Sequence, residues 1–304
     1  MILTALTLFT GHFTSMGSPC ELQLYAKDKA QFEHVAQNVV KDLVRLEGKY
    51  SRYRADSFLS KMNQCAAQGK SIEVDAETAH LLNYAQTCYQ QSDGLFDITS
   101  GALRRVWTFN KDKPTLPKQK DIDAILAFVG WDKIAWDGTV LHFLLAGMEV
   151  DFGGIVKEYA ADRVAALCSS MSTSNGIVNL GGDIKIMGPH VDSSPWHIGI
   201  RDPKDKNFVS SVVQLHSGAM ASSGDYERCM DIDGKRYGHI LNPKTGWPVQ
   251  HFASITVISD FCVLAGSAST IAMLKEKEGI AWLNLLGLSH QWIDINGRRG
   301  GNII

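Results

Sequence analysis

The feature that most restricts the fold of this chain is the irregular order in which helical and strand periodicities follow one another. Apolar residues recur at helical spacing over about 56–66, 76–91, 99–108, 119–128, 155–170 and 263–286, and Phe32, Val35, Ala36, Val39, Val40, Leu43 and Val44 share one face of an earlier helix. Strand patterns are expected for 11–26 and near 140–151, 176–187, 196–201, 209–216, 236–241 and 253–259. The two kinds of segment are mixed without regular βαβ alternation, which predicts an α+β fold rather than a doubly wound parallel sheet. A segment at 109–121 with two prolines and four lysines is the best loop candidate. It divides a helix-rich part, about 28–130, from a sheet-rich part, about 140–296, of one domain spanning 11–296.

Composition narrows the partners. With 304 residues and 45% hydrophobic content the chain can bury a large core. A formal charge of -2 and the lack of a lysine- or arginine-rich run argue against nucleic acid or a membrane surface as partner, since both demand a basic stripe. No apolar stretch is long enough to span a bilayer without charges. The six cysteines (Cys20, Cys65, Cys88, Cys168, Cys229, Cys262) form no CxxC pair and read as packed, reduced thiols. The apolar start, MILTALTLFTGHF, lacks a positive n-region and a small-residue cleavage site, so it reads as the beginning of the first strand.

Five stretches carry polar chemistry. In VDFGGIVKEY (150–159) a carboxylate, a glycine pair and an ammonium stand at the mouth of a helix, where bare backbone and first-turn N–H groups suit an anion. The spacing is neither GxGxxG nor GxxxxGK[ST], and the stretch is equally a structural strand-to-helix turn. NLGGD (179–183) reads as a bulge or a close backbone approach. MASSGDYERC (220–229) reads as a Ser-Ser-Gly turn followed by Asp225, Glu227 and Arg228, in which Ser222 and Ser223 suit a phosphate and Arg228 a carboxylate, or as a solvated turn. YGHILNPKTGWP (237–248) is turn chemistry preceded by His239 and Leu241. LAGSASTIAML (264–274) places small residues where helices pack closely.

Taken in order, TSMGS, SRYRADS, DGLFDIT, VDFGGIVKEYAAD, NLGGD, WHIGIRDP, SSGDYER and YGHILNPKTGWP resemble the ApbE family of flavin transferases over nearly the whole chain, about 14–296. The resemblance implies an α+β, two-lobed, T-fold-related architecture with a flavin cleft between the lobes. It also implies Mg²⁺-dependent transfer of FMN from FAD to a Thr or Ser hydroxyl of a partner flavoprotein, with release of AMP. By the same likeness Met16, Tyr53, Leu95, Phe96, Asp97, Asp151, Lys157 and Leu241 contact FAD. The carbonyl of Gly154, with Ser269 and Thr270, faces the metal, and His239 is the candidate base.

The pattern breaks where the family carries an aspartate and this chain has Gly266. That loss leaves the implied metal site without a carboxylate unless Glu158, standing where the family commonly has glycine, or Asp225 supplies one. A flavin-binding paralogue without transferase activity, or an FAD diphosphatase, are the readings that this break opens. No lipobox precedes Cys20, so the cytoplasm is the default address, and the periplasm applies if the first residues are a truncated leader.

Overall fold

The computed structural model describes residues 5–109, 112, 114–205, 208–226 and 228–303. Its strands are β1 (Thr7–Ser15), β2 (Ser18–Ala26), β3 (Ser71–Glu73), β4 (Ile134–Trp136), β5 (Val140–Phe143), β6 (Gly176–Leu180), β7 (Asp183–Gly188) and β8 (Trp196–Arg201), then β9 (Val209–Leu215), β10 (Gly218–Gly224), β11 (Cys229–Ile232), β12 (Lys235–Gly238), β13 (Phe252–Ser259), β14 (Ser289–Asp294) and β15 (Arg299–Gly301). The α-helices are α1 (Lys29–Tyr50), α2 (Phe58–Ala67), α3 (Ala76–Gln91), α4 (Gln119–Leu126), α5 (Val156–Ser170), α6 (Cys262–Leu274) and α7 (Gly279–Leu285).

Eight strands form one antiparallel sheet in the order β1-β2-β6-β7-β10-β13-β14-β15. The period of two sorts its side chains. Leu22, Leu24, Val178, Leu180, Ala219, Ala221, Ile255 and Val257 enter the main core on the face that α1, α5 and α6 cover. Ile184, Ile186 and Met220 point the other way, onto Trp196, Ile198, Ile200 and Val213 of the β8–β9 hairpin. A third core joins Ala102, Leu103, Trp107 and Ile122 to Met230, Tyr237, Leu241 and Trp247, tying the 98–126 region to the β11–β12 hairpin and the turn that follows it.

The expected α+β class is what the chain forms, and several element boundaries differ for physical reasons. Residues 11–26 are a hairpin: Ser15 pairs with Ser18, and Met16 (φ 51) and Gly17 (φ 71) make the two-residue turn. In α1 the buried stripe is Phe32, Val35, Val39, Leu43, Leu46 and Tyr50, while Val40 and Val44 of the expected face are exposed. The helix expected over 263–286 breaks into α6, a short 3-10 turn and α7, because Glu276 takes φ 50 and Gly279 lies where a Cβ would be 2.1 Å from the Ala272 carbonyl. The region 99–108 is 3-10 rather than α-helical, over Ile98–Arg105. Of the loop expected at 109–121, Gln119 onward is helical, and residues 110, 111 and 113 lie outside the described residues. All six cysteines are unpaired thiols and five of them are buried.

Candidate active site

The approach to α5 is built by an asparagine. Met148 and Val150 are buried, yet β5 ends at Phe143 and the expected strand does not reach 151. Instead the Asn63 side chain acts as a one-residue strand, its Nδ2 donating to the Val150 carbonyl (2.9 Å) and its Oδ1 accepting from the Val150 N–H (2.8 Å). Asp151 follows, its N–H bound to the Ile98 carbonyl at 2.9 Å.

Both oxygens of Asp151 are engaged. Oδ1 accepts from the Gly153 N–H at 2.9 Å and Oδ2 pairs with the Arg52 guanidinium. Arg52 lies 4.9 Å over the ring of Tyr53 and donates to its hydroxyl (2.8 Å), as does Arg228 (3.1 Å). Burial opposes ionisation of Tyr53, but the hydrogen bond and charge of Arg52 and the charge of Arg228 outweigh it, so the phenol ionises below its ordinary range. The result is a ring, 74% exposed, presented on two cations beside a carboxylate. From the sequence Arg228 suits a carboxylate or a solvated turn; in the structure it meets the Tyr53 hydroxyl, together with Arg52, which no local pattern marks.

Gly153 and Gly154 lie in the turn that leads into α5 but do not have positive φ, so the turn's conformation does not demand glycine there. A Cβ on Gly154 would sit 3.5 Å from Phe96 Cζ, and the bare backbone there faces that ring. The N–H groups of Ile155 and Val156 both donate to the Phe152 carbonyl (2.9 and 3.0 Å), so two amides expected to be free for an anion are spent locally.

Lys157, in the first turn of α5, pairs with the buried Asp183 at 3.0 Å. Asp183 begins β7 directly after Gly181 (φ 65) and Gly182 (φ 105), which turn the β6–β7 hairpin and form no bulge. A Cβ on Gly181 would meet Ser18 at 2.5 Å and lie 3.7 Å from the Lys157 Nζ. Two hairpin tips, 16–17 and 181–182, therefore abut beside the start of α5. The left-handed Met16 is held by its N–H, which donates to Glu47 of α1 at 2.9 Å.

The 95–97 stretch divides by role. Phe96 is buried against Gly154, and Leu95 packs at the edge of the main core. Asp97 turns inward: it accepts from the Thr99 N–H (2.8 Å), the Thr99 hydroxyl (2.7 Å) and the Trp131 N–H (3.0 Å), while burial raises its carboxyl above the usual range. Its side chain is a brace for the loop that carries Phe96.

Ser222 and Ser223 lie in β10 and not in a turn, so their side chains oppose each other. Ser222 bonds Thr256 (2.8 Å), whereas Ser223 meets both Ser269 and Thr270 of α6 (2.8 Å each). Ser269 also donates to the Gly266 carbonyl at 2.9 Å. Above Gly266 lies the side chain of Glu158: a Cβ at 266 would stand 2.5 Å from Glu158 Cγ and 2.8 Å from Oε1. Glu158 is buried and its Oε2 has no hydrogen-bond partner. Burial first, then the nearby charge of Asp183, raises its carboxyl above the ordinary glutamate range. An orphan carboxylate oxygen over a helix turn whose hydroxyls and carbonyl are all oxygen donors fits a hard divalent cation.

His239 is exposed just after β12, and the preceding Gly238 packs on Asp225, where a Cβ would lie 2.8 Å from Asp225 Cβ. Asp225 is buried, and burial pushes its carboxyl up to about 6 against the opposing charge of Arg236. Leu241 bridges to Pro248 and joins the third core, and Glu227 lies outside the described residues.

A long antiparallel sheet with helices on one face, whose hairpin tips meet a DFGGIVK helix start beside an exposed tyrosine, defines a particular class of α+β protein. A model of the ApbE family matches residues 16–290, and this chain belongs to that family. It is 33% identical over 250 residues to the FAD:protein FMN transferase of Haemophilus influenzae, covering 79% of this chain and 72% of that protein. The enzyme of the same description from Vibrio cholerae is 31% identical over 244 residues, with 79% and 73% covered. Among solved structures, the ApbE protein of Thermotoga maritima superposes with a TM-score of 0.89 at 29% identity, covering 97% of each chain. The flavin transferase ApbE of Vibrio cholerae does so at 0.86 and 26%, covering 98% of each.

Proposed function

We propose that this protein is a flavin transferase that moves FMN from FAD onto a Thr or Ser hydroxyl of a partner flavoprotein. The observation that carries the reading is the Asp151–Arg52–Tyr53–Arg228 chain beside Lys157 and Phe96, in a chain whose relatives are named FAD:protein FMN transferase. Tyr53 offers a flat face for an isoalloxazine or adenine ring, with Met16, Leu95, Phe96 and Leu241 as further apolar contacts. Lys157 addresses the diphosphate and Asp151 a polar edge of the same molecule. Asp97 contributes by holding the Phe96 loop.

In the reaction the acceptor oxygen attacks the phosphorus of the FMN half. The bond between that phosphorus and the oxygen bridging to adenylate breaks, and AMP departs with the bond's electrons. The hydroxyl proton passes to His239, which is exposed and able to accept it when neutral. The Gly154 carbonyl, Ser269 and Thr270 would hold Mg²⁺, whose charge when bound offsets that developing on the departing phosphate.

The test is incubation of purified protein with FAD, Mg²⁺ and an acceptor flavoprotein carrying the target hydroxyl, reading AMP by chromatography and covalent FMN by in-gel fluorescence. Both products are expected, and both vanish with EDTA. Flavin bound without AMP would leave a binding protein, and AMP without acceptor a diphosphatase.

A further inference from the structure

We propose that Glu158 is the carboxylate ligand of the divalent-cation site, reaching from α5 across Gly266 to the turn of α6 that carries Ser269 and Thr270. The proposal rests on the reading above of residues 154, 269 and 270 as cation-facing, and goes beyond it by identifying where the negative ligand comes from.

Three observations support it. First, Glu158 is buried on the first turn of α5 with an oxygen that nothing in the protein satisfies, an arrangement that costs stability unless something else binds there. Second, the space it fills is the space above residue 266: the positions of Cγ, Cδ and Oε1 lie 2.5, 3.0 and 2.8 Å from where a Cβ on Gly266 would be. Any side chain at 266 would have to displace Glu158, so glycine there and glutamate at 158 require each other. Third, the same helix turn presents only oxygens, with Ser269 bonded to the Gly266 carbonyl (2.9 Å) and both Ser269 and Thr270 to Ser223 (2.8 Å each). One carboxylate with hydroxyl and carbonyl oxygens is a donor set suited to Mg²⁺ or Mn²⁺, which take remaining ligands from water and substrate phosphates. Among the described residues no group of three or more His, Cys, Asp or Glu could hold a metal, so the site is not an acidic cage.

The arrangement explains why a missing carboxylate at 266 need not be a loss of function. The carboxylate then comes from α5, and the absence of a side chain at 266 is what admits it.

The experiment is a titration of Mn²⁺, followed by electron paramagnetic resonance of the free ion, with and without saturating FAD. It compares native protein, Glu158→Gln, and the exchange Glu158→Gly with Gly266→Asp. Native protein is expected to bind one Mn²⁺, Glu158→Gln to bind it about tenfold or more weakly, and the exchange to recover most of the lost affinity. Glu158→Gln keeps volume and replaces a buried carboxyl that burial holds against ionisation, so its melting temperature in EDTA should be at least that of the native protein. If the exchange variant does not fold, the Gln variant decides alone. A loss smaller than about fivefold in Glu158→Gln, or no Mn²⁺ bound by native protein in either arm, overturns the proposal. Flavin transfer is read separately: transfer that persists in Glu158→Gln sinks this assignment and leaves the proposed function standing. Mn²⁺ bound through Glu158 without transfer does the reverse.

Discussion

Asn63 illustrates how much of the site rests on single side chains far away in sequence. Its amide satisfies both backbone groups of the buried Val150, one residue before Asp151. Asn63→Ala strands a donor and an acceptor in the interior, and each costs about 1–3 kcal/mol, so urea denaturation should show a loss of about 2 kcal/mol or more. Asn63→Asp should not rescue it, since a carboxylate oxygen would then face the buried Val150 carbonyl. Tyr53 is a second single-residue case. In a spectrophotometric titration it should ionise before the other tyrosines, and Arg228→Ala should move it upward, because the Arg228 hydrogen bond and charge favour the phenolate. If Tyr53 titrates with the rest, the two-arginine platform is wrong. These contacts were hidden from the sequence for a physical reason. Asn63 sits 87 residues from Val150 and Arg228 175 residues from Tyr53, separations that no local periodicity encodes.

At the scale of elements, helix α3 is clasped to α1 through its first turn. Glu77 accepts from both terminal nitrogens of Arg45 (2.7 and 2.9 Å) and from Lys49 (2.9 Å). The Arg45 hydrogen bond, acting against burial and aided by Lys49, holds the Glu77 carboxyl down to about 2. A depressed carboxyl stabilises the fold above its unfolded pKa and loses that contribution as pH falls from about 4.5 to about 2. Allowing for partial solvent screening, about 2 kcal/mol should disappear across that window, and Glu77→Gln should flatten the acid limb of the stability curve. The 242–248 turn offers a second element-level check. Gly246 has φ 71 and a Cβ there would lie 2.3 Å from Ile122, so Gly246→Ala should cost about 2 kcal/mol or more by strain and overpacking. Its carbonyl also accepts from the Trp107 indole at 2.8 Å. That turn was legible from NPKTG because glycine and proline chemistry is local. The Met16–Gly17 turn was not, because a methionine in a left-handed position is rare and depends on the carboxylate of Glu47 to hold it. The expected face of α1 holds at Phe32, Val35, Val39 and Leu43 and is too wide by Val40 and Val44, for a related reason. Val40 and Val44 keep helical spacing with the core residues, and only the neighbouring sheet decides which flank is covered.

For the whole molecule, the mixed class and most elements follow from periodicity, while the candidate site residues rest on the resemblance alone. No spacing rule marks a tyrosine, two hairpin tips and a helix start as one place. What brings them together is sheet order: β2 pairs with β6, so residues near 20 and 180 become neighbours, with Cys20 opposite Leu180. Hydrogen exchange should report the three cores separately. Amides of β2, β6, β10 and β13 should be the slowest, and those around Trp107, Ile122 and Met230 faster by at least about tenfold, since that smaller core buries fewer side chains. Uniform exchange across both would contradict this.

The separate packing of Trp107, Tyr237, Leu241 and Trp247 gives the protein a seam. This third core shares no buried residue with the main core, so it can loosen by local opening while the strands keep their ladder.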